Sequence, residues 1–123
     1  MSHLPKVHLM APGEMEQAIA YAVPQLAPQI DPTLMIDWLR AVLSLNPSYR
    51  VYVNDGCTAG CGVQVYTNSN PPWDRLAYEW AWWGHGKPAV QCLHAAMAWA
   101  RDEGATYFGY STTDRSMMRW RAL

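Results

Sequence analysis

The residues best suited to chemistry lie in one turn, residues 84–88 (GHGKP). Glycine lets a backbone approach a ligand closely, and a helix that begins at such a turn presents N–H groups to a phosphate. Lys87 adds a positive charge, whereas Pro88 has no N–H to donate. The turn is therefore a candidate phosphate site that lacks one donor, and a purely structural turn is the alternative.

Cysteine and histidine offer a second kind of chemistry, because both are zinc ligands. Cys57 and Cys61 are separated by three residues, and Cys92 and His94 stand on a predicted helix. The first pair spans a predicted hairpin and its spacing fits zinc poorly, so we expect no metal. Three cysteines also cannot form a complete set of disulfides, and free thiols in a reducing compartment are expected.

Tryptophan is unusually common in this chain. There are seven Trp and seven Tyr but one Phe, and Trp80, Trp82 and Trp83 are almost adjacent. Such side chains favour surfaces that are half apolar and half wet. We predict that these three contact a protein partner, which could be a second copy of the chain; stacking on an aromatic ligand is the alternative.

Length and charge exclude several classes of function. The 123 residues suit a single domain, 1–123, and the net charge of -1 gives no electrostatic footprint for nucleic acid. No apolar run approaches the roughly 20 residues that span a bilayer. The sequence therefore predicts a protein of the cytoplasm, with neither nucleic acid nor membrane as its partner.

The elements that must position these residues alternate between helix and strand. Helices are predicted from Pro12 to Pro24, from Asp31 to Asn46 and from Pro88 to Gly104, each bounded by proline, asparagine or glycine. Strands are predicted over residues 6–10, 50–54, 58–67, 76–82 and 106–110, and a short final helix over residues 117–122. Gly60 and Gly62 indicate a bulge or a close backbone approach in the second strand.

Three local patterns, in this order of elements, resemble the GNAT superfamily of acetyl-CoA-dependent N-acetyltransferases. Residues 51–56 (VYVNDG) with 60–63 (GCGV) resemble the family's second and third strands. Residues 85–93 (HGKPAVQCL) stand where the family has an Arg-Gly-Lys-Gly-Ile-Gly-x-x-Leu turn, and the helix and strand that follow also resemble it. The implied fold is α/β, a mixed sheet of about five strands flanked by helices on both faces.

The resemblance also assigns roles to residues. It places coenzyme A on the turn, with contacts from five residues: His85, Gly86, Lys87, Ala89 and Val90. Glu79, in the middle of the aromatic strand, stands where some members keep a general base that takes a proton from the amine. The structural alternative for this carboxylate is a partly wet sheet face or an ion pair with Arg50 or Arg75.

The departures from the family fall at the same places. Pro88 and Val90 stand at glycine positions, His85 stands for an arginine, and Trp120 takes the place of a tyrosine acid on the final helix. The family's last two strands are also expected to be missing, which leaves an open sheet edge for a partner. We therefore predict a non-catalytic structural or interaction protein without a cofactor, such as a bacteriophage virion component; the alternative is a working N-acetyltransferase that binds acetyl-CoA.

Overall fold

The computed structural model describes residues 7–67, 75–111 and 118–123. Its elements, in chain order, are β1 (Val7–Leu9), a 3-10 turn (Pro12–Glu14), α1 (Met15–Leu26), α2 (Pro32–Leu45), β2 (Tyr49–Asn54), β3 (Gly60–Thr67), β4 (Arg75–Trp83), α3 (Gly86–Asp102), β5 (Tyr107–Ser111) and β6 (Met118–Ala122).

The six strands form one mixed sheet in the order β1-β2-β3-β4-β5-β6. Neighbouring strands are antiparallel except for β4 and β5, which are parallel and are joined by the crossover helix α3. A parallel pair needs such a crossover, and glycine at the start of α3 with Pro88 in its first turn favours a helix there. The α/β sheet with helices, predicted from the sequence, is confirmed.

Helices cover both faces of the sheet. One core cluster joins α3 to the sheet and includes Cys92, Ala96 and Phe108, all fully buried. The other joins α1 and α2 to the opposite face and includes Ile19, Leu39 and Val53. Leu39 is the only buried residue of α2, so α2 is packed more loosely than α1.

Two predicted elements differ from the structure. Residues 118–122 form strand β6 and not a helix, because they pair with β5, with Trp120 opposite Gly109. This adds a sixth strand and covers the edge of β5 that was expected to be open. Helix α1 continues past Pro24 to Leu26. Among the described residues, no helix is long and apolar enough to cross a membrane.

Candidate functional site

The parallel strands β4 and β5 separate partway along their length. They pair only over Leu76–Tyr78 and Tyr107–Gly109, yet β4 continues to Trp83 and β5 to Ser111. Beyond Tyr78, no pairing joins these two described strands. Ligands of α/β sheets bind beyond the carboxyl ends of parallel strands, so this opening is a natural site.

A bulge lies on the other side of β4, in its pairing with β3. Gly62 pairs with Ala81 and Val63 pairs with Glu79, so Trp80 is an extra residue in β4. Trp80 and Ala81 both pack toward α1 and α2, whereas Trp82 packs on the α3 side. The register shift lies beside Gly62, as the glycines indicated, but the extra residue is in β4 and not in the glycine-bearing strand β3.

The two glycines of β3 make room for indole rings. A Cβ atom on Gly62 would lie 2.6 Å from Cε2 of Trp80, and one on Gly60 would collide with the ring of Trp83. Any larger residue would push these rings away from the sheet. Gly60 and Gly62 therefore fix where the two tryptophans stand.

Glu79 joins the two separated strands. Its Oε1 accepts a hydrogen bond of 2.8 Å from the backbone N–H of Ser111 and another from the Ser111 hydroxyl. The residue is only 7% exposed, so the expected partly wet environment is wrong. Oε2 takes part in neither bond. The role of general base stays a prediction, with the carboxylate fixed at the opening.

Neither arginine that was considered as an ion-pair partner bonds to Glu79. The guanidinium of Arg50 stacks on Trp99 at 4.8 Å and donates to the hydroxyl of Tyr52. Arg75 donates to the backbone carbonyl of Glu103 and forms an ion pair with its carboxylate. Ser111, which the sequence did not point to, is the partner instead.

The N-terminus of α3, at the turn that precedes it, is exposed. His85 is the N-cap residue but its side chain forms no capping bond, and His85, Gly86 and Lys87 are all exposed. Gly86 has a φ of 63°, a value that favours glycine, and a Cβ there would meet nothing within 4 Å. The start of α3 is therefore open to a ligand.

Ala89 and Val90, which were also expected to contact coenzyme A, differ from each other in their exposure. Ala89 is buried, and its carbonyl accepts a bond of 2.9 Å from the indole N–H of Trp82. Val90 is 43% exposed. In an α-helix the amide donors without an intrahelical partner belong to the N-cap and the first three positions. By that rule the donors here are those of His85, Gly86 and Lys87, because Pro88 has none.

A cavity of about 520 Å³ lies on the α1 and α2 side of β4. Its wall reaches from Glu79 and Ser111 at the strand opening to Trp83, next to the turn before α3. Gln25, on α1, holds that turn by accepting a bond of 3.0 Å from the N–H of Gly84. The cavity therefore adjoins the carboxylate and the strand opening, and its wall includes Trp83, which precedes the turn before α3.

The cysteines are buried free thiols. Burial raises the pKa of Cys92 to about 11, and burial, with the nearby Glu14 carboxylate, raises the pKa of Cys57 to about 11. Burial also raises the pKa of Cys61. His94 is exposed, whereas Cys92 is buried, so these two do not face a common site. Within the described ranges, no three His, Cys, Asp or Glu side chains come together as metal ligands.

The tryptophans expected to contact a partner are largely enclosed. Trp83 is 5% exposed and its indole N–H donates to the carbonyl of Cys57. Trp80 and Trp82 are partly buried. Contact with a protein partner through these residues stays a prediction.

No family model and no curated protein sequence matches the chain. Solved structures with a similar fold include two N-acetyltransferases. The first is the aminoglycoside N-acetyltransferase AAC(6')-Iy in complex with CoA, with a TM-score of 0.75 and 12% identity, over 94% of this chain and 82% of that one. The second is a GCN5-related N-acetyltransferase from Ralstonia eutropha JMP134, with a TM-score of 0.64 and 18% identity, over 89% and 84% of the two chains.

Proposed function

Since the chain has the GNAT fold, we propose that it is an acyltransferase that moves the acyl group of a CoA thioester to an amine. The observation that carries the proposal is the separation of β4 from β5 beyond Tyr78, with Glu79 held at the opening. Both structural neighbours are described as N-acetyltransferases, and one of them holds CoA. Neither description supports the expected virion component.

The start of α3 fits the phosphates of CoA. Its uncapped N–H groups, the dipole of a 17-residue helix and the charge of Lys87 all attract an anion. The open space at Gly86 leaves room for a phosphate against the backbone. Pro88 removes one donor, so we expect binding that is weaker than a fully glycine-lined turn would give.

Glu79 is the residue proposed to accept a proton. When bound, the thioester supplies an activated carbonyl carbon, at which an N–C bond forms while the C–S bond breaks. The attacking amine must lose a proton, and a carboxylate in the same cavity can receive it directly or through one water. The two bonds from Ser111 hold the Glu79 carboxyl group in place for this transfer.

The departing thiolate needs no dedicated acid in this proposal. A thiol has a pKa of about 8.5, so the thiolate is a competent leaving group and takes its proton from water. Trp120, which was aligned with the family's tyrosine acid, lies on β6 and is 49% exposed. It has no part in the transfer.

The test combines binding and turnover. Titration with acetyl-CoA should release heat, and release of free CoA thiol should accelerate when amines of several classes are supplied: polyamines, amino acids, aminoglycosides and arylalkylamines. Binding without turnover with any class would favour the non-catalytic reading. No binding of acetyl-CoA would remove the proposal altogether.

A further inference from the structure

The cavity beside Glu79 has an almost wholly apolar wall. In the described part of the chain, it is lined by alanine, valine, leucine, isoleucine, methionine and tryptophan side chains from α1, α2, β2, β4 and the segments next to them. Glu79 and Ser111 are the exceptions, and they stand together at the strand opening. The space is therefore polar at one end and apolar elsewhere.

The tryptophan rings in this wall present mainly carbon atoms, and few polar atoms, to the cavity. The indole N–H of Trp83 donates to the carbonyl of Cys57, whereas the ring of Trp82 lies on the α3 side, where its N–H donates to the carbonyl of Ala89. Trp80 meets Trp38 edge to face at 5.7 Å between ring centroids, and among the described residues its buried indole N–H has no hydrogen-bond partner. A ligand that enters between these rings meets apolar surface with few groups able to hydrogen bond.

We infer that the acceptor is a small primary amine on an apolar body, aromatic or branched aliphatic, with its nitrogen at Glu79. This inference rests on the proposed function and names the substrate class of the same site. A cavity of about 520 Å³ is within the range that small ligands occupy. The single carboxylate provides one anchor for one nitrogen.

Polyhydroxylated and polycationic amines fit this wall poorly. Each hydroxyl or ammonium group that leaves water without a new partner costs free energy, and apart from Glu79, Ser111 and the unpaired indole N–H of Trp80 the described wall offers few partners. A long acyl chain offers no nitrogen to the Glu79 carboxylate at the polar end of the cavity. An amine with an apolar body can place its nitrogen at the Glu79 carboxylate and its carbon skeleton against the apolar wall.

The experiment is a titration of the purified protein, saturated with CoA, with phenethylamine and separately with kanamycin. Phenethylamine should bind, and kanamycin should bind at least tenfold more weakly. The Ala22→Phe variant fills the cavity from α1, so its affinity for phenethylamine should fall at least tenfold. Ala20→Phe is the matched control, since Ala20 lies on the exposed side of the same helix and should leave affinity unchanged.

The outcomes separate this inference from the proposed function. If CoA itself does not bind, the proposed function fails. If CoA binds but phenethylamine gives no heat at millimolar concentration, or kanamycin binds more tightly, only the inference is overturned. It is also overturned if Ala22→Phe leaves phenethylamine binding intact while weakening decanoyl-CoA relative to acetyl-CoA, because the cavity then holds the acyl chain.

Discussion

Glu79 and Ser111 meet across two strands that no longer pair. The N–H of Ser111 lies 2.8 Å from Oε1 of Glu79, just past the last paired residues, Tyr78 and Gly109. The side chain therefore takes the place of the missing ladder bonds and sets the width of the opening. Glu79, which is proposed to accept a proton, therefore also links the two strands that border the site.

Removing the Ser111 hydroxyl should affect both stability and turnover. Ser111→Ala loses one hydrogen bond to a carboxylate, which costs roughly 1.5 to 3 kcal/mol in the free energy of unfolding. We expect kcat to fall while the affinity for CoA changes little. Urea unfolding measures the change in stability, and thiol release at increasing thioester concentration measures kcat and the apparent affinity.

The matched control is Ser48→Ala. Ser48 donates its N–H and its hydroxyl to Oδ1 of Asn46, the same arrangement away from the site. It should lose about 1 kcal/mol of stability and keep kcat. Equal effects of the two variants on kcat would show that the bond to Glu79 has no special part in turnover.

Gly62→Ala should destabilise the protein, because the new methyl group would lie 2.6 Å from the Trp80 ring. Crowding of this kind costs about 1 to 3 kcal/mol. Gly13→Ala, where a Cβ meets nothing within 4 Å, is the control for the loss of glycine. Urea unfolding that ranks the two variants as equally stable would contradict the close packing of glycine and indole.

Pro88→Ala should strengthen CoA binding. The change restores an N–H at the third position of α3, and one added hydrogen bond at this exposed turn is worth about 1 to 1.5 kcal/mol. That corresponds to a roughly five- to tenfold lower Kd by titration calorimetry. Pro32→Ala, at the start of α2, should leave the Kd unchanged. An unchanged Kd for Pro88→Ala would mean that no phosphate reaches the first turn of α3.

Stability should fall at alkaline pH because of the buried thiols. Burial raises the pKa of Cys92 from its ordinary value of 9.0 to about 11. Between these values the folded protein binds more protons than the unfolded one, so the free energy of unfolding decreases as pH rises. This contribution is fully present below pH 9 and is lost as pH passes through 11.

Urea unfolding at pH 8 and pH 10.5 measures this decrease. Cys92→Ala should be less stable at both pH values but should lose less stability between them. A decrease of the same size in the wild type and in Cys92→Ala would mean that the Cys92 thiol ionises equally readily in both states.

Much of the fold could be predicted because local signals agreed with the final packing. Asp31 caps α2 by accepting a bond of 2.9 Å from the N–H of Thr33, and Pro32 occupies its first turn, as expected. Residues 118–122 were assigned wrongly, since the five residues form a strand only by pairing with β5. A local pattern cannot reveal a partner strand.

The site was less predictable for the same reason. The bond between Glu79 and Ser111 joins residues 32 apart in the chain, and it depends on where two strands separate. The cavity likewise depends on the bulge at Trp80, which moves Ala81 toward α1 and α2. The glycines indicated a bulge, but nothing in the sequence indicated the space behind it.

The most direct test of the account is titration calorimetry with acetyl-CoA on three proteins: wild type, Lys87→Glu and Arg101→Glu. Both variants change the net charge equally, but Lys87 lies in the first turn of α3 and Arg101 in its last turn. We predict micromolar binding to the wild type and to Arg101→Glu, and binding at least tenfold weaker to Lys87→Glu. Absence of heat with the wild type, or equal Kd values for the two variants, would contradict a CoA site at the start of α3.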